Sequence, residues 1–251
     1  MKRKAFGRPQ SLKPIEYIYC PGCCHGIIHN LIGEVIDELG ILERTVGISS
    51  VGCSVLACDY FCCDMVQAAH GRAPAVATGI KRVCPENIVF TYQGDGDLAA
   101  IGTSEIIHAA NRGENITVLF INNTTYGMTG GQMAPTTMLG QKTATTPYGR
   151  EFRNDGYPIR MAELLATLEG TAYCARVATS TPGQIRKAKE AVRKAFEMQI
   201  REMGFSLVEF LSTCPTNWGM KPLDAQKRVL GEMSEYFPLG VYKERRQADF
   251  A

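Results

Sequence analysis

Apolar positions along the chain follow two spacings, and these predict alternating helices and strands. Apolar side chains recur every three to four residues over 27–39, and Gly40 follows where a helix commonly ends. Short continuous apolar runs, such as residues 116–121, are typical of strands buried on both faces of a parallel sheet. The pattern predicts strands over residues 45–49, 88–92, 116–121, 172–178 and 206–211, and helices over 27–39, 75–83, 98–111, 161–168 and 182–200.

The order of these elements predicts the fold class. Strands that alternate with helices favour an α/β fold with a mostly parallel sheet and helices on both faces. Thr181, Pro182 and Gln184 match the residues preferred at a helix start, which supports the last long helix. A polar loop rich in glycine and threonine spans residues 122–155, and a loop of that length inside a compact domain is usually functional.

We divide the chain into one domain and two ends. Residues 17–218 form the predicted domain. Residues 1–16 are an N-terminal extension, and residues 219–251 are a less regular C-terminal tail that packs on the domain or on a partner subunit.

Composition narrows the possible functions. The 251 residues include 27 basic and 25 acidic side chains, and a net charge of +2 does not indicate nucleic-acid binding. The longest apolar runs, such as 118–121, are too short to cross a bilayer, and the basic segment 1–14 lacks the apolar core of a signal peptide. We therefore expect a cytoplasmic protein with neither a nucleic-acid nor a membrane partner.

Polar motifs follow the ends of four predicted strands, over residues 49–54, 94–97, 122–132 and 213–216. In an open parallel sheet, the carboxyl ends of the strands form the edge at which ligands bind. We therefore expect these four loops to meet at one edge of the sheet.

Two of these loops carry the pattern of a diphosphate and magnesium site. Asp95 lies between two glycines after one strand, and Asn123 follows the next strand, 28 positions later. Backbone amides at a helix start can hold a phosphate, and Mg²⁺ prefers carboxylate, amide and phosphate oxygens. On its own, a glycine-flanked acid is equally well explained as a turn between a strand and a helix.

The longer segment resembles the beta subunits of 2-oxoacid:ferredoxin oxidoreductases, which bind thiamine diphosphate. The resemblance covers residues 17–218 and is strongest in GDGDLAAIGTSEIIHAANRGENITVLFINNTTYGMTGGQMAPT. It implies that Asp95 and Asn123 bind Mg²⁺ through their side chains and Thr125 through its carbonyl. It also implies that the cofactor is contacted by Gly96, Asp97, Gly127 and Met128 and by the loop of Val51, Gly52, Cys53 and Ser54.

The chain contains ten cysteines, a number that needs an explanation outside a small secreted protein. Cys20 and Cys23 form a C-x-x-C motif, which by itself fits zinc, thiol redox or iron–sulfur chemistry. The resemblance implies that Cys20, Cys23, Cys53 and Cys214 bind one [4Fe–4S] cluster beside the thiamine.

The other six cysteines are Cys24, Cys58, Cys62, Cys63, Cys84 and Cys174. The spacing of Cys58, Cys62 and Cys63 is compatible with a second cluster, but it also fits one face of a helix. We favour the helix face, with the thiols as small buried side chains.

The resemblance also points to His70 within a segment that borders the cofactor. We predict that His70 contacts thiamine diphosphate or the reacting centre, which makes it the candidate catalytic residue. The alternative is a histidine that caps the helix predicted over 75–83. His25 and His29 lie one helical turn apart, but no third metal ligand follows them.

The resemblance implies a CoA-dependent oxidative decarboxylation of a 2-oxoacid to acyl-CoA and CO₂, with electrons passed through the cluster to ferredoxin. It further implies an alpha subunit that completes the thiamine site, with gamma and ferredoxin-like delta subunits. Some relatives carry lysine where Leu56 and Gly130 stand here, a cation suited to a substrate's distal carboxylate. This difference favours a branched-chain acid, 2-oxoisovalerate, over 2-oxoglutarate or pyruvate.

Two other classes of protein remain open from the residues alone. A non-redox thiamine diphosphate enzyme subunit would explain Asp95 and Asn123 but not the four cysteines. A zinc-stabilised binding module would explain the C-x-x-C motif but not the acid and amide pattern. Bound iron, zinc or thiamine would distinguish the three.

Overall fold

The computed structural model describes residues 7–246. Its strands are β1 (Thr45–Ser49), β2 (Asp64–Gln67), β3 (Ile88–Gly94), β4 (Thr117–Asn122), β5 (Thr125–Tyr126), β6 (Gln132–Met133), β7 (Thr171–Ala178), β8 (Phe205–Leu211) and β9 (Gly240–Glu244). Seven of them form one sheet in the order β2-β1-β3-β4-β8-β7-β9, and all neighbours are parallel except β7 and β9. Strands β5 and β6 form a separate antiparallel pair.

Helices cover both faces of the large sheet. They are α1 (His25–Leu39), α2 (Ala57–Tyr60), α3 (Ala73–Val83), α4 (Thr103–Asn111), α5 (Phe152–Asp155), α6 (Met161–Ala166), α7 (Pro182–Ile200), α8 (Pro215–Trp218), α9 (Pro222–Arg228) and α10 (Ser234–Tyr236). The chain also forms 3₁₀ turns at Leu42–Arg44 and Cys53–Leu56, and π-helical turns at Asp97–Ile101 and Val229–Met233.

Alternating residues of the central strands supply two separate hydrophobic cores. Phe90 and Leu119 belong to the core that also contains apolar residues of α1 and α7. Val89 and Val118 belong to the core that contains residues of α3, α4 and α6. This division follows from the two-residue period of a strand, and it explains why the central strands are apolar at nearly every position. The predicted α/β class, with a mostly parallel sheet between two layers of helices, is confirmed.

Several predicted element ends are also confirmed. Gly40 ends α1 in a left-handed conformation (φ 63°). Thr181 caps α7, where its side chain accepts a hydrogen bond from the Gln184 amide. The predicted long loop follows β4 and contains only β5, β6 and α5 as regular elements.

Two predictions from the sequence were wrong. The helix predicted over 98–111 is interrupted at Gly102, which separates a π-helical turn from α4. Cys58, Cys62 and Cys63 do not share a helix face, because α2 ends at Tyr60. The chain continues after Cys63 as the short, largely exposed strand β2, not as a helix.

The C-terminal tail is more regular than predicted. Val229, Met233 and Phe237 are buried and form a third small core with Met138 and Leu211. The chain then adds β9 to the edge of the sheet. The spacing of four residues between those three apolar side chains is what one helical face requires.

The ends of the chain are described only in part. Of the predicted N-terminal extension, residues 7–16 are described, and Ser11 and Leu12 are buried against α1 and the segment after α2. Residues 1–6 and 247–251 lie outside the described part. Within residues 7–246, no helix is both long and apolar enough to cross a membrane.

Candidate active site at the carboxyl edge of the sheet

A pocket opens at the carboxyl ends of β1, β3 and β4, where the sequence predicted a ligand-binding edge. Its lining includes every residue predicted to contact thiamine diphosphate or Mg²⁺: Val51, Gly52, Cys53, Ser54, His70, Asp95, Gly96, Asp97, Asn123, Thr125, Gly127 and Met128. His25, Ile121, Tyr126 and Thr129 line it as well. The topology therefore brings three of the predicted loops and the His70 segment to one place.

Asp95 is a buried acid at the base of this pocket. One carboxylate oxygen accepts a hydrogen bond from the Thr136 hydroxyl at 2.6 Å, and the other accepts one from the Gly96 amide at 2.9 Å. Burial raises the pKa of Asp95 to about 7, although both hydrogen bonds lower it. Among residues 7–246, no basic side chain bonds this carboxylate. A buried carboxylate without a cation is costly, so a divalent ion here would stabilise its charged form.

The segment after β4 presents the predicted amide ligand. Asn123 is nearly buried, and its side-chain oxygen accepts a hydrogen bond from the Thr125 amide at 3.3 Å. Its backbone carbonyl accepts a hydrogen bond from the indole NH of Trp218 at 3.2 Å. Between Asn123 and Thr125, both predicted Mg²⁺ ligands, Thr124 has a left-handed backbone with φ 60°. Such a conformation is unfavourable for a β-branched residue and persists only where the surroundings enforce it.

Asp97 is fully occupied by hydrogen bonds within the protein. Its carboxylate accepts from His70 Nδ1 at 2.5 Å, the Gly71 amide at 2.6 Å, Ser50 Oγ at 2.8 Å and Gln93 Nε2 at 2.5 Å. Asp97 therefore has little capacity left to contact a ligand through its side chain, and its predicted contact falls to the backbone.

The same interaction orients His70. Because Asp97 accepts from Nδ1, that nitrogen carries a proton, and Nε2 is left for the pocket. The alternative role, a cap on the following helix, is wrong, because α3 begins at Ala73 with Arg72 as its N-cap and His70 bonds Asp97 instead.

The four predicted cluster ligands form two pairs, and Cys53 of one pair lines the pocket. A Cβ atom placed on Gly127 would lie 3.4 Å from Cys53 Sγ and 3.5 Å from Cys214 Sγ, so these two thiols flank the Gly127 backbone. Cys20 and Cys23 lie in one tight turn, with the Cys23 amide donating to the Cys20 carbonyl at 3.0 Å. Within residues 7–246, no three His, Cys, Asp or Glu side chains converge as single-metal ligands.

The electrostatics of these thiols are coupled. Burial raises the pKa of Cys23 to about 12, and the Cys53 and Cys214 thiolates raise it as well. Burial raises the pKa of Cys53 to about 11, with further contributions from Cys214 and Cys20. Thiolates that raise one another's pKa repel each other unless positive charge lies between them. An iron–sulfur cluster would supply that charge.

A second layer of contacts ties the two cysteine groups together. The Thr213 hydroxyl donates to the Gly22 carbonyl at 2.6 Å and lies 3.2 Å from Cys24 Sγ. Asn217 donates both to the Gly127 carbonyl at 2.8 Å and to Cys214 Sγ at 3.2 Å. Such bonds to ligand sulfur are one way in which a protein sets the potential of a cluster.

His25 is a site residue that the sequence did not single out for the pocket. It is buried, its Nδ1 lies 2.6 Å from the Tyr92 hydroxyl, and its ring stacks on Tyr19. Burial lowers the pKa of His25 to about 4, so it is neutral at physiological pH. Its position directly after the C-x-x-C-C run was the available signal.

Gly96 allows a close approach that no larger residue could make. A Cβ there would lie 2.2 Å from the ring of Tyr126, whose hydroxyl donates to the Gly96 carbonyl at 3.1 Å.

We expect Gly96→Ala to displace Tyr126 and to lower the free energy of unfolding by about 1–3 kcal/mol in denaturant titrations. The matched control is Gly79→Ala in α3, where nothing lies within 4 Å and a gain of roughly 0.5–1 kcal/mol is expected. Equal stability of the two variants would contradict this role of Gly96.

The fold and the pocket correspond to a thiamine-dependent class of enzyme. Residues 50–210 match the family described as "Thiamine pyrophosphate enzyme, C-terminal TPP binding domain". This match includes the segments that carry Asp95 and Asn123.

Curated relatives refine the class. "Ketoisovalerate oxidoreductase subunit VorA" of Methanothermobacter marburgensis is 51% identical over 98% of this chain and 53% of the relative. "2-oxoglutarate synthase subunit KorB" of Methanocaldococcus jannaschii is 40% identical over 85% of this chain and 77% of the relative. The chain thus belongs to the thiamine pyrophosphate enzymes and, within them, to the 2-oxoacid oxidoreductase subunits. It spans about half the length of the VorA relatives.

A solved structure agrees with this assignment. The 2-oxoglutarate:ferredoxin oxidoreductase from Magnetococcus marinus, with 2-oxoglutarate, coenzyme A and succinyl-CoA bound, superimposes with a TM-score of 0.78. The match is 25% identical and covers 98% of this chain and 87% of the other.

Proposed function

We propose that this chain binds thiamine diphosphate with Mg²⁺ and acts as a subunit of a CoA-dependent 2-oxoacid:ferredoxin oxidoreductase. The observation that carries the proposal is the buried Asp95 carboxylate, which shares one pocket with Asn123 and lies beside the paired thiols of Cys53 and Cys214. A non-redox thiamine enzyme needs the first feature but has no use for the second.

The residues fit the cofactor in the following way. Asp95 and Asn123 would hold Mg²⁺ by their side chains and Thr125 by its carbonyl, and the ion offsets the diphosphate charge. The backbone amide of Asp97, at the start of a helical turn, suits a phosphate oxygen, and Gly96 lines the pocket beside it. The remaining pocket residues line the cofactor: Val51, Gly52, Cys53, Ser54, Gly127 and Met128. When bound, thiamine diphosphate supplies the carbon nucleophile and the electron sink that decarboxylation of a 2-oxoacid requires.

The imidazole of His70 would accept or donate a proton in this pocket. Its Nδ1 is fixed on the buried Asp97 carboxylate, and about a third of its side chain is exposed. The carboxylate holds the ring in one orientation and one tautomer. We therefore propose that Nε2 exchanges a proton with the substrate or with the reacting end of the cofactor.

Cys20, Cys23, Cys53 and Cys214 would bind the [4Fe–4S] cluster. Cys53 also lines the cofactor pocket, so electrons that leave the site need to travel only a short distance. Asn217, which bonds Cys214 Sγ, would help to set the potential of the cluster.

The pocket rim fits a site completed by other subunits. Val51 and Met128 line the pocket, yet each is more than a third exposed. We propose that an alpha subunit covers this rim and supplies the second half of the thiamine site. Gamma and ferredoxin-like delta subunits would complete the assembly, with ferredoxin as the electron acceptor.

We propose 2-oxoisovalerate as the substrate. Leu56 and Gly130 stand where some relatives place lysine, which leaves no cation there for a distal carboxylate. Identity is also higher to the ketoisovalerate relative than to the 2-oxoglutarate relative. The alternatives are 2-oxoglutarate and pyruvate.

The test is an assay of the complex purified without oxygen. Ferredoxin reduction with CoA is measured with 2-oxoisovalerate, 2-oxoglutarate and pyruvate, and bound iron and thiamine are quantified. We expect the highest kcat/KM with 2-oxoisovalerate. A preference for 2-oxoglutarate would overturn the substrate, and a complex with thiamine but without iron would overturn the redox function.

A further inference from the structure

Two opposite charges are buried inside the sheet, away from the pocket. Arg176 on β7 and Glu209 on β8 are register partners, and both side chains are fully buried. Arg176 Nε lies 2.9 Å from Glu209 Oε2. A buried ion pair contributes little to stability compared with apolar residues of the same size, so its presence suggests another role.

The ion pair is connected to the end of β4. The second carboxylate oxygen of Glu209 accepts a hydrogen bond from Asn122 Nδ2 at 2.8 Å. Asn122 then accepts, through its side-chain oxygen, a hydrogen bond from the Thr124 amide at 3.2 Å. The contacts therefore run without a gap from the interior of the sheet to Thr124.

Thr124 is the strained residue between Asn123 and Thr125, two of the three proposed Mg²⁺ ligands. Its left-handed backbone must be enforced from outside, because a β-branched side chain disfavours it. On its other side, Thr137 Oγ1 donates to the Thr124 carbonyl at 2.6 Å. Gln141 Nε2 bonds the Thr124 hydroxyl at 2.9 Å. Asn122 thus holds one side of a residue that Thr137 and Gln141 hold on the other.

Arg176 also contacts α6 and the C-terminal segment. Arg176 forms an ion pair with Glu163 at 2.5 Å, and its guanidinium donates to the Tyr242 hydroxyl at 2.6 Å and to the Pro238 carbonyl at 3.2 Å. Tyr242 belongs to β9. These contacts fix the guanidinium, which in turn fixes the carboxylate that holds Asn122.

We propose that Arg176, Glu209 and Asn122 form a positioning network that holds Thr124 in its left-handed conformation. The network thereby sets the affinity of the Asn123–Thr125 segment for the divalent cation and the diphosphate. This inference rests on the proposed function, because it assumes that the segment binds Mg²⁺. None of the three residues lines the pocket, so each acts through Thr124 and not by contact.

The test compares cofactor affinity in variants of the assembled complex. Mn²⁺ replaces Mg²⁺ as the probe, because it takes the same oxygen ligands and is visible by electron paramagnetic resonance. Binding of thiamine diphosphate is measured by equilibrium dialysis. Asn122→Ala leaves the ion pair intact. We expect it to weaken the affinities for Mn²⁺ and for thiamine diphosphate by about 10- to 100-fold, the usual effect of losing a residue that orients a metal ligand. We expect Glu209→Gln to act in the same direction.

A matched control separates this role from general destabilisation. Gln199 is buried and bonds the Val89 amide at 2.5 Å and Thr117 Oγ1 at 2.8 Å, at the opposite end of the strands. Gln199→Met removes a buried side-chain amide of α7 that bonds strands β3 and β4, so it also breaks buried hydrogen bonds of the sheet, as Asn122→Ala does. We expect it to lower the Tm but to leave both affinities within about twofold of wild type.

A rescue variant tests the proposed cause. Glycine adopts a left-handed backbone without the steric cost that threonine has. We therefore expect Thr124→Gly, added to Asn122→Ala, to recover part of the lost Mn²⁺ affinity without a matching recovery of Tm.

The outcomes separate the two proposals. Wild type that binds Mn²⁺ and thiamine diphosphate, with unchanged affinity in Asn122→Ala, would overturn the network and leave the proposed function standing. Wild type that binds neither would overturn the proposed function and the network together. Weaker binding of Mn²⁺ and thiamine diphosphate in Asn122→Ala, with unchanged affinities in Gln199→Met, would support both the proposed function and the network. If Glu209→Gln does not fold, Asn122→Ala alone decides.

Discussion

Asp95→Asn is expected to remove Mg²⁺ and thiamine diphosphate from the complex and to lower ferredoxin reduction by at least about 10²-fold. Changes to residues that merely orient a metal ligand already cost 10- to 100-fold, and Asp95 is proposed as a direct ligand. Asparagine keeps the size of the side chain and an acceptor for Thr136 but loses the negative charge. Cofactor content after dialysis and steady-state turnover measure the effect.

The same substitution should stabilise the metal-free chain. Burial raises the pKa of Asp95 to about 7, so the metal-free fold is most favoured with a protonated Asp95 and loses stability as pH rises from about 4 towards 7. Asparagine is neutral throughout this range, so Asp95→Asn should lack that pH dependence. Urea titrations at pH 5 and pH 7 test the expectation. Asp64→Asn, at an exposed position of β2, is the control and should change neither binding nor the pH profile. If Asp95→Asn retains as much thiamine diphosphate as the wild type, Asp95 is not the proposed Mg²⁺ ligand.

Cys214→Ser is expected to abolish the iron–sulfur cluster while the thiamine site stays occupied. A serine oxygen is a poor replacement for a soft thiolate, and Cys214 is proposed as one of only four ligands. Iron and acid-labile sulfide should fall towards zero, and ferredoxin reduction should fall to background. Thiamine diphosphate and Mn²⁺ should bind within a few-fold of wild type, because Cys214 does not line the cofactor pocket.

A second cysteine provides the control for this result. Cys62 is exposed and lies outside the proposed ligand set, near Cys58 and Cys63. We expect Cys62→Ser to retain full iron content and turnover. Loss of iron in Cys62→Ser would instead indicate a second cluster at those cysteines. Full iron content in Cys214→Ser would contradict the proposed ligands.

The positions of the candidate site residues were predictable where those residues follow the ends of strands. Asp95 and Asn123 follow strands whose apolar runs are easily recognised, and the parallel topology brings such ends to one edge. Cys214 follows β8 for the same reason. These positions needed only the order of elements and a local motif.

Contacts made by the long loop were not predictable in this way. Thr136 bonds Asp95 from 41 residues away, and Gln141 bonds Thr124 from 17 residues away. The loop has no periodic pattern, so nothing in the sequence fixes its path. The left-handed Thr124 was equally hidden, because a β-branched residue is a poor sequence signal for that conformation.

Two buried charges carry a signal in the sequence itself. Arg176 and Glu209 are charges in the middle of otherwise apolar strands, which is unusual unless they are paired. Strand β9 has no comparable signal, because it lies exposed at the edge of the sheet and has no continuous apolar run. Even its apolar residue Val241 is 57% exposed. Its place in the sheet depends on long-range contacts with β7 and Arg176.

Trp218 gives this site an optical reporter of its own. It is the chain's only tryptophan, and its indole NH donates to the carbonyl of Asn123, one of the proposed Mg²⁺ ligands. The emission of an indole depends on its hydrogen bonds and on nearby charge, and the Arg228 guanidinium lies 4.6 Å from the ring. Fluorescence excited selectively at tryptophan therefore arises from Trp218 alone, beside the Asn123–Thr125 segment. In the unlabelled chain, a single spectrum would follow the order of this loop as ions and cofactor are added.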